Sequence, residues 1–515
     1  MSERPLDASL LVADGCCGRA VGSERVVSAL RAEVSRRDLN IPVISTGCNG
    51  RCFDAVAVTH MAAGRVVNRW TEVIPGSAES ICLELMRPPG HWNIDTEDAE
   101  PFFAGQRRIL LASSGIHDPE NLDDSLSRGA YSALEAALTR RPEEILEVVE
   151  RAGLRGMGGA FFPTARKWRA AALEPGPRYL VVNAEEGEPG VFKDRHLLED
   201  DPHRLIEGAL ISAYAIGVGH VYVYVNGQAH LSSYRVGRAL EAAHEHRLVG
   251  DGVLGSGFSC EVEMREGGGG YVLGEESVIL ESIEGRRPEP RFRPPQVVEY
   301  GLWGHPTVID NVETLSRVPA IISGWLGFGA GISPTEVART KLVCVTGDVQ
   351  RPGVVEVPFG TTIREIVVNM AGGPLDGRAL KAVLTAGPSG KIVPPALFDR
   401  PLQPGDAEVL LGSGNLIALD ERRSLLDVAR RLARFNADES CGKCTPCREG
   451  ASRLAKMIAG SADSESLKSI SHELLEIGDV VTSASLCGLG RMAANPILST
   501  LEHFSPAQIF ETRRS

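Results

Sequence analysis

A chain of 515 residues exceeds what one hydrophobic core sustains, so three to four domains are expected. Hydrophobic residues at 43% and charged residues at 23% are ordinary for a globular protein in water. A formal net charge of -13 argues against a nucleic-acid binder, which carries a basic face, and reads more simply as a solubility feature.

Residues 6–85 read as a small α/β unit, with a strand at 10–12, a helix across 24–36, and strands near 41–44 and 56–59. A Pro/Gly-rich acidic stretch at 87–101 reads as a linker. From residue 107 to about 330, helices such as 142–152 alternate with strands such as 179–182 and 221–225, which implies mostly parallel pairing. The most membrane-like stretch, 205–225, is interrupted by Glu207, His220 and three glycines, and its spacing changes from helical to strand-like. A helix followed by a buried strand is expected there. With no secretory signal pattern at the start, the expectation is a cytoplasmic protein that does not insert into a membrane. Residues 340–415 hold short β-rich runs at 341–346, 353–357 and 408–411 around one helix at 363–370, as a compact β-grasp module would. After Ser424 the apolar spacing is helical and predicts a terminal bundle.

Eleven cysteines fall unevenly along the chain, and clustered cysteines in a reducing compartment are more often metal ligands than disulfides. Cys82, Cys260 and Cys344 stand alone in apolar surroundings and read as small buried hydrophobes. Cys441, Cys444 and Cys447 follow C-x2-C-x2-C, which places three thiolates around one short loop, as a cubane iron–sulfur cluster needs. Cys487, flanked by Gly488 and Gly490, is the only cysteine downstream and the candidate fourth ligand. A zinc site using the same thiolates is the alternative; the tight spacing favours iron.

Four further segments are rich in glycine or carboxylates. Residues 153–168 contain Gly156, Gly158, Gly159 and Lys167; they match neither a P-loop nor G-x-G-x-x-G, yet exposed backbone N–H groups and one ammonium suit a phosphate. The strand at 179–183 runs into Glu185, Glu186 and Glu188, at the end of a strand where open α/β sheets bind ligands. Residues 266–276 again feed glycines into two acids, Glu275 and Glu276. Residues 306–314 offer Asp310, Asn311 and Thr314.

These four segments, in this order and followed by the cysteine group, resemble the NADH-binding FMN/iron–sulfur flavoprotein subunit of respiratory complex I and its soluble relatives, over about residues 107–510. The resemblance implies FMN held by Gly156, Gly158 and Lys167, with Asn183, Glu185, Glu186 and Glu188 bonding the flavin or lying near the nicotinamide. It places Gly274, Glu275 and Glu276 beside the cofactors, Asn311 and Thr314 against the flavin, and Phe162 on the NADH adenine. Glu188 and Glu186 are the candidate catalytic carboxylates, and Cys441, Cys444, Cys447 and Cys487 the ligands of a [4Fe–4S] cluster. The sequence departs from the family at Met157, Phe161, Glu185, Leu273 and Asp310, and lacks the second aromatic after Trp168. Phe161 would either crowd the dinucleotide or supply the missing stacking face.

Cys48 and Cys52 have the C-x3-C spacing of the second ligand pair in thioredoxin-like [2Fe–2S] ferredoxins, whereas the first pair is replaced by adjacent Cys16 and Cys17. A [2Fe–2S] cluster on Cys17, Cys48 and Cys52, and a degenerate domain kept for docking, both remain open. The fold expected from the resemblance is α/β multidomain: a thioredoxin-like domain (1–90), a linker (91–106), a Rossmann-like FMN/NADH domain (107–335), a β-grasp SLBB-like domain (336–420) and a helical bundle carrying the cluster (421–515). The expected function is that of a diaphorase passing electrons between NADH, FMN and iron–sulfur clusters. The leading assignment is the β subunit of an NAD-dependent formate dehydrogenase, partnered by a molybdenum α subunit and a small [2Fe–2S] ferredoxin-type subunit. The alternatives are the diaphorase of an NAD-linked hydrogenase, the complex I subunit, and a non-catalytic relay or docking subunit.

Overall fold

The computed structural model describes residues 8–87, 100–328 and 331–511. Most of the expected linker, residues 91–99, lies outside them. Residues 100–106 are packed down, with Phe102 fully buried against Phe53 and Phe103 at ring separations of 5.3 and 5.4 Å.

The first sheet comprises β1 (Ser9–Ala13), β2 (Val43–Thr46), β3 (Val58–Ala62) and β4 (Arg65–Trp70) in the order β2-β1-β3-β4. Helix Ser23–Arg36 lays Val26, Val27, Leu30 and Val34 on it, the i, i+4, i+8 stripe of an amphipathic helix. Strand β4 was not among the expected elements. Its sequence alternates weakly, and the hairpin is made by Ala63 and Gly64, whose φ values of 49° and 72° match the twist of a tight hairpin turn.

Strands β5 (Tyr179–Ala184), β6 (His220–Asn226), β7 (Glu261–Gly267) and β8 (Thr307–Asn311) form an all-parallel sheet in the order β7-β6-β5-β8. Central β6 is buried at six successive positions, which explains its unbroken apolar run. Helix Pro202–Ile216 precedes it, so residues 205–225 are the expected helix and buried strand. Among the described residues no helix is long and apolar enough to cross a membrane. Parallel pairing brings the carboxyl ends of all four strands to one edge, where α/β sheets bind their ligands.

The third sheet is mixed: β9 (Thr340–Gly347), β10 (Gly353–Pro358), β11 (Leu380–Thr385), β12 (Ile392–Val393) and β13 (Asn415–Asp420), ordered β10-β9-β13-β11-β12. The strand expected at 408–411 is a loop, because the Asp406 carboxylate accepts the Glu408 and Val409 N–H groups at 2.8 and 3.1 Å and closes a turn. Val409 and Leu411 are buried all the same, so their apolar character reports packing rather than pairing. The helix expected at 363–370 is present as a π-helical segment, Arg364–Met370. Helices Leu425–Asp438, Thr445–Gly460, Ser464–Ala484 and Asn495–His503 make the terminal bundle, and their core runs on into Leu384, Ile392 and Leu419 of the third sheet.

Candidate active site and iron–sulfur centre

Helix Pro142–Ala152 ends at Gly153 in the left-handed conformation and releases the glycine loop toward the carboxyl end of β8. The loop is fixed from within, Gly156 N–H donating to Phe162 O at 2.8 Å, and from behind, Met157 N–H donating to Thr314 Oγ1 at 2.8 Å. A Cβ on Gly158 would stand 3.2 Å from Asn311 Cβ. Gly159, at φ +118°, lies where a Cβ would meet the Gly412–Ser413 backbone at 3.1 Å. Only glycine lets this loop approach both walls so closely.

The loop borders a cleft of about 580 Å³, within the range of small-molecule sites. Of the expected residues, Gly158, Asn183, Glu185, Glu186, Glu188, Gly274, Glu275 and Asn311 line it. Gly156 lies inside the loop and Thr314 behind it. Lys167 does not reach in: its ammonium bonds Ile309 O at 2.6 Å and Asp310 Oδ1 at 2.8 Å. Burial pushes that ammonium's pKa down, but Asp310 and Glu276 outweigh it and hold it above the usual range. Asp310 also accepts from Trp168 Nε1 at 2.6 Å, so this departure from the family sequence ties down the lysine. Glu276 pairs with Arg293 at 2.7 Å, and Phe162 is half exposed beneath the Arg166 guanidinium. Met157 and Leu273 are buried in the core, and Phe161 packs edge-on to Phe359 with 7% of its surface exposed. It also lines the cleft beside Gly158 and Gly159.

Three carboxyls on one wall stand near neutrality. Glu186 accepts the Asp194 and Arg195 N–H groups at 2.7 and 2.9 Å, at the N-terminus of helix Lys193–Asp200. Burial and then the Asp194 charge nonetheless push it up to about 7. Glu188 accepts from Ser389 Oγ at 3.0 Å and from Ser413 Oγ, and burial raises it to about 7. Glu185 accepts from Asn226 Nδ2, while its Oε2 is buried with no partner; burial, joined by Glu439, raises it to about 7. Asn183 donates to Gly274 O at 2.9 Å and accepts the Glu185 N–H at 3.1 Å, fixing the wall. An orphaned acceptor and polar groups converging on one cleft fit a flavin nucleotide, whose ring and ribityl chain carry N–H and O–H donors. The sequence reading missed Lys193, Tyr271, Ser389 and Ser413 in this wall; only the glycines around Ser413 hinted at a close approach.

Cys441, Cys444, Cys447 and Cys487 surround one small cavity in the bundle. Cys444 caps helix Thr445–Gly460, Cys447 sits in its first turn, and Cys487 caps helix Gly488–Met492. The Leu489 and Gly490 N–H groups donate to the Cys487 sulfur. Ser440 Oγ lies 3.1 Å from Cys447 Sγ. Burial pushes the Cys447 thiol up to about 11, so a bound cation is what would hold it as thiolate. Four thiols around a shared cavity suit a multi-iron cubane. Val272 and Leu489 line both this cavity and the cleft.

In the first unit, Cys16 and Cys17 open helix Cys16–Val21; the four thiols form no disulfide, Cys17 is hydrogen-bonded to both Cys16 and Cys52, and Cys52 to Cys48. The adjacent pair thus joins the C-x3-C pair as one run of thiols. Cys16, Cys17 and Cys52 line a second cleft of about 640 Å³ that shares Glu186, Glu188 and Tyr271 with the first. The unit is docked by Cys16 N–H donating to Glu199 Oε2 at 2.8 Å, on the same helix whose N-terminus holds Glu186.

Family models match in three places: the Nuo51 FMN-binding domain over residues 149–320, the SLBB domain over 342–395, and the NADH-ubiquinone oxidoreductase-F iron-sulfur binding region over 427–509. An NADH-quinone oxidoreductase subunit of Aquifex aeolicus (strain VF5) is 42% identical, over 77% of this chain and 92% of its own length. The NADP-reducing hydrogenase subunit HndC of Solidesulfovibrio fructosivorans is 38% identical, over 78% of this chain and 82% of its own. A crystal structure of NAD+-reducing [NiFe]-hydrogenase in the air-oxidized state superposes with a TM-score of 0.66 at 32% identity, covering 99% of this chain and 85% of that one. FMN, NAD(H) and a [4Fe–4S] cluster are the cofactors these domains bind. The chain belongs to the family of NADH-binding FMN/iron–sulfur flavoprotein subunits that includes the complex I subunit and its relatives.

Proposed function

We propose that this chain is the NAD(H)-oxidising or NAD+-reducing diaphorase subunit of a multisubunit enzyme of the NAD-linked hydrogenase type. The observation that carries the diaphorase reading is the shared wall: Val272 and Leu489 separate the flavin cleft from the four-thiol cavity. The hydrogenase type is supported by a structural likeness over 99% of the chain, first unit included, where the quinone oxidoreductase relative spans 77%. The formate dehydrogenase assignment, with its molybdenum α subunit and small [2Fe–2S] partner, has no comparable support and gives way to this alternative.

Bound FMN supplies exchange between the two-electron chemistry of NADH and one-electron iron–sulfur chemistry. The protein's part is positioning and electrostatics. Gly158, Asn183, Gly274, Glu275 and Asn311 shape the flavin wall, with Gly156, Lys167 and Thr314 holding the loop and strand behind it. Glu185, Glu186 and Glu188 can each hold or release a proton at a carboxyl oxygen near pH 7. Phe162, with Glu276 and its Arg293 partner, lies outside the cleft, where the dinucleotide would extend. Val272 and Leu489 exclude water between the two cavities. The reading includes the division into thioredoxin-like, linker, FMN/NADH, β-grasp and bundle parts, and ligation of a second, two-iron cluster by Cys17, Cys48 and Cys52 with Cys16.

Tagged purification from the native host, with metal analysis of the large partner, tests the assignment. Nickel in that partner, with NADH-dependent ferricyanide reduction by the complex, is the expected result. Molybdenum would return the formate dehydrogenase reading, and a yellow protein inert to NADH would leave only the relay. Iron beyond one four-iron cluster, lost on Cys48→Ser, is expected from the first unit.

A further inference from the structure

Lys193 is the one cation among the described residues lining the flavin cleft, and its side chain is fully buried. Its ammonium donates to Asp194 Oδ1 at 2.6 Å and to Asn311 Oδ1 at 3.2 Å, and lies 3.2 Å from Glu313 Oε2. Asp194 and Asn311 line the same cleft and are bonded to each other at 2.6 Å. Glu313 is held from behind by Lys341 and Arg317, both buried, so the ammonium cannot swing away. Of the other bases nearby, Lys167 is paired with Asp310 and Arg293 with Glu275 and Glu276, and neither base lines the cleft itself. A desolvated charge fixed in this way acts on its surroundings with little screening.

We propose that Lys193 sets the reduction potential of the flavin held in this cleft, with Asp194 as its opposing charge. The assignment rests on the diaphorase reading. Hydride transfer from NADH carries a proton and two electrons, so the nicotinamide gains one positive charge and the flavin one negative charge; no other oxidant or reductant enters. A fixed ammonium favours the form that has gained negative charge, and a fixed carboxylate disfavours it. Lys193 is therefore a positioning residue acting by charge, and a merely structural ion pair would not give its two members opposite effects.

Spectroelectrochemical titration of FMN in the full-length, iron–sulfur-loaded chain tests this. Lys193→Gln is expected to shift the reduction equilibrium at least about tenfold toward oxidised flavin, or ~30 mV downward for a two-electron couple. Asp194→Asn is expected to shift it upward by a similar factor, and Lys193→Arg to stay close to the unaltered chain. Shifts of the same sign in the first two variants, or none in either, overturn the assignment. Should Lys193→Gln fail to fold, Asp194→Asn decides alone: an unchanged or lowered potential there overturns it. An unaltered chain that binds no flavin, or whose flavin NADH does not bleach, would instead refute the diaphorase reading.

Discussion

Replacing Glu185 by glutamine tests the electrostatics of the cleft through stability. The carboxyl is 8% exposed and held at about 7, against an ordinary 4.5, chiefly by burial. In the unfolded chain it ionises as pH rises through about 4.5, whereas the folded chain keeps its proton until about 7. The folded state therefore binds more protons across that window, and this contribution falls away as pH rises, reaching its full loss above 7. The gap is worth at most about 3 kcal/mol. Glutamine keeps the acceptor for Asn226 but puts an amide where Oε2 has no partner, costing about 1 kcal/mol at every pH. The variant should thus be about 1 kcal/mol less stable than the unaltered chain at pH 4.5 and about 2 kcal/mol more stable at pH 8.5. At roughly 2–4 °C per kcal/mol, melting curves of the flavin-free protein should differ by roughly 6–12 °C more at the higher pH than at the lower, in the variant's favour. A difference in Tm that does not change with pH would refute the argument.

Cys487→Ser removes one wall of the four-thiol cavity and should abolish the iron–sulfur absorbance while FMN content and NADH-dependent ferricyanide reduction persist; loss of both cofactors together would count against separate sites. Gly159→Ala, at φ +118° and 3.1 Å from the Gly412–Ser413 backbone, should cost about 1–3 kcal/mol and weaken FMN retention about tenfold or more, read by release of flavin fluorescence. Phe162→Ala should raise KM for NADH about five- to tenfold with kcat little changed, since the ring is half exposed outside the cleft; an unchanged KM would remove it from the dinucleotide site.

The cores and the cysteine cage were legible because they obey local rules. Strand β6 reads as a continuous apolar run because both its faces are buried, and the C-x2-C-x2-C spacing fixes three thiols around one helix start whatever lies beyond. Parts set by distant packing were not legible. Strand β7 lies at the edge of its sheet and reads EVEMREG, half exposed and charged, so no apolar run announces it. Ser389 and Ser413 reach Glu188 across 201 and 225 residues, and no spacing within either segment signals that meeting. Lys167 looked free for a phosphate because its partner Asp310 lies 143 residues away, brought alongside by the packing of helix Thr164–Leu173 on β8. Val409 and Leu411 looked like a strand because alternation records burial, and a capped turn can bury side chains as well as a strand does.

In the proposed function, charge delivered by NADH into the cleft passes to the four-cysteine centre next to it. Anaerobic addition of NADH to the purified chain, followed together by visible absorption and low-temperature EPR, tests it most directly. The flavin bands should bleach while a reduced iron–sulfur signal grows, and that signal should be missing in Cys487→Ser. Bleaching that leaves the iron fully oxidised in the unaltered chain would contradict the account.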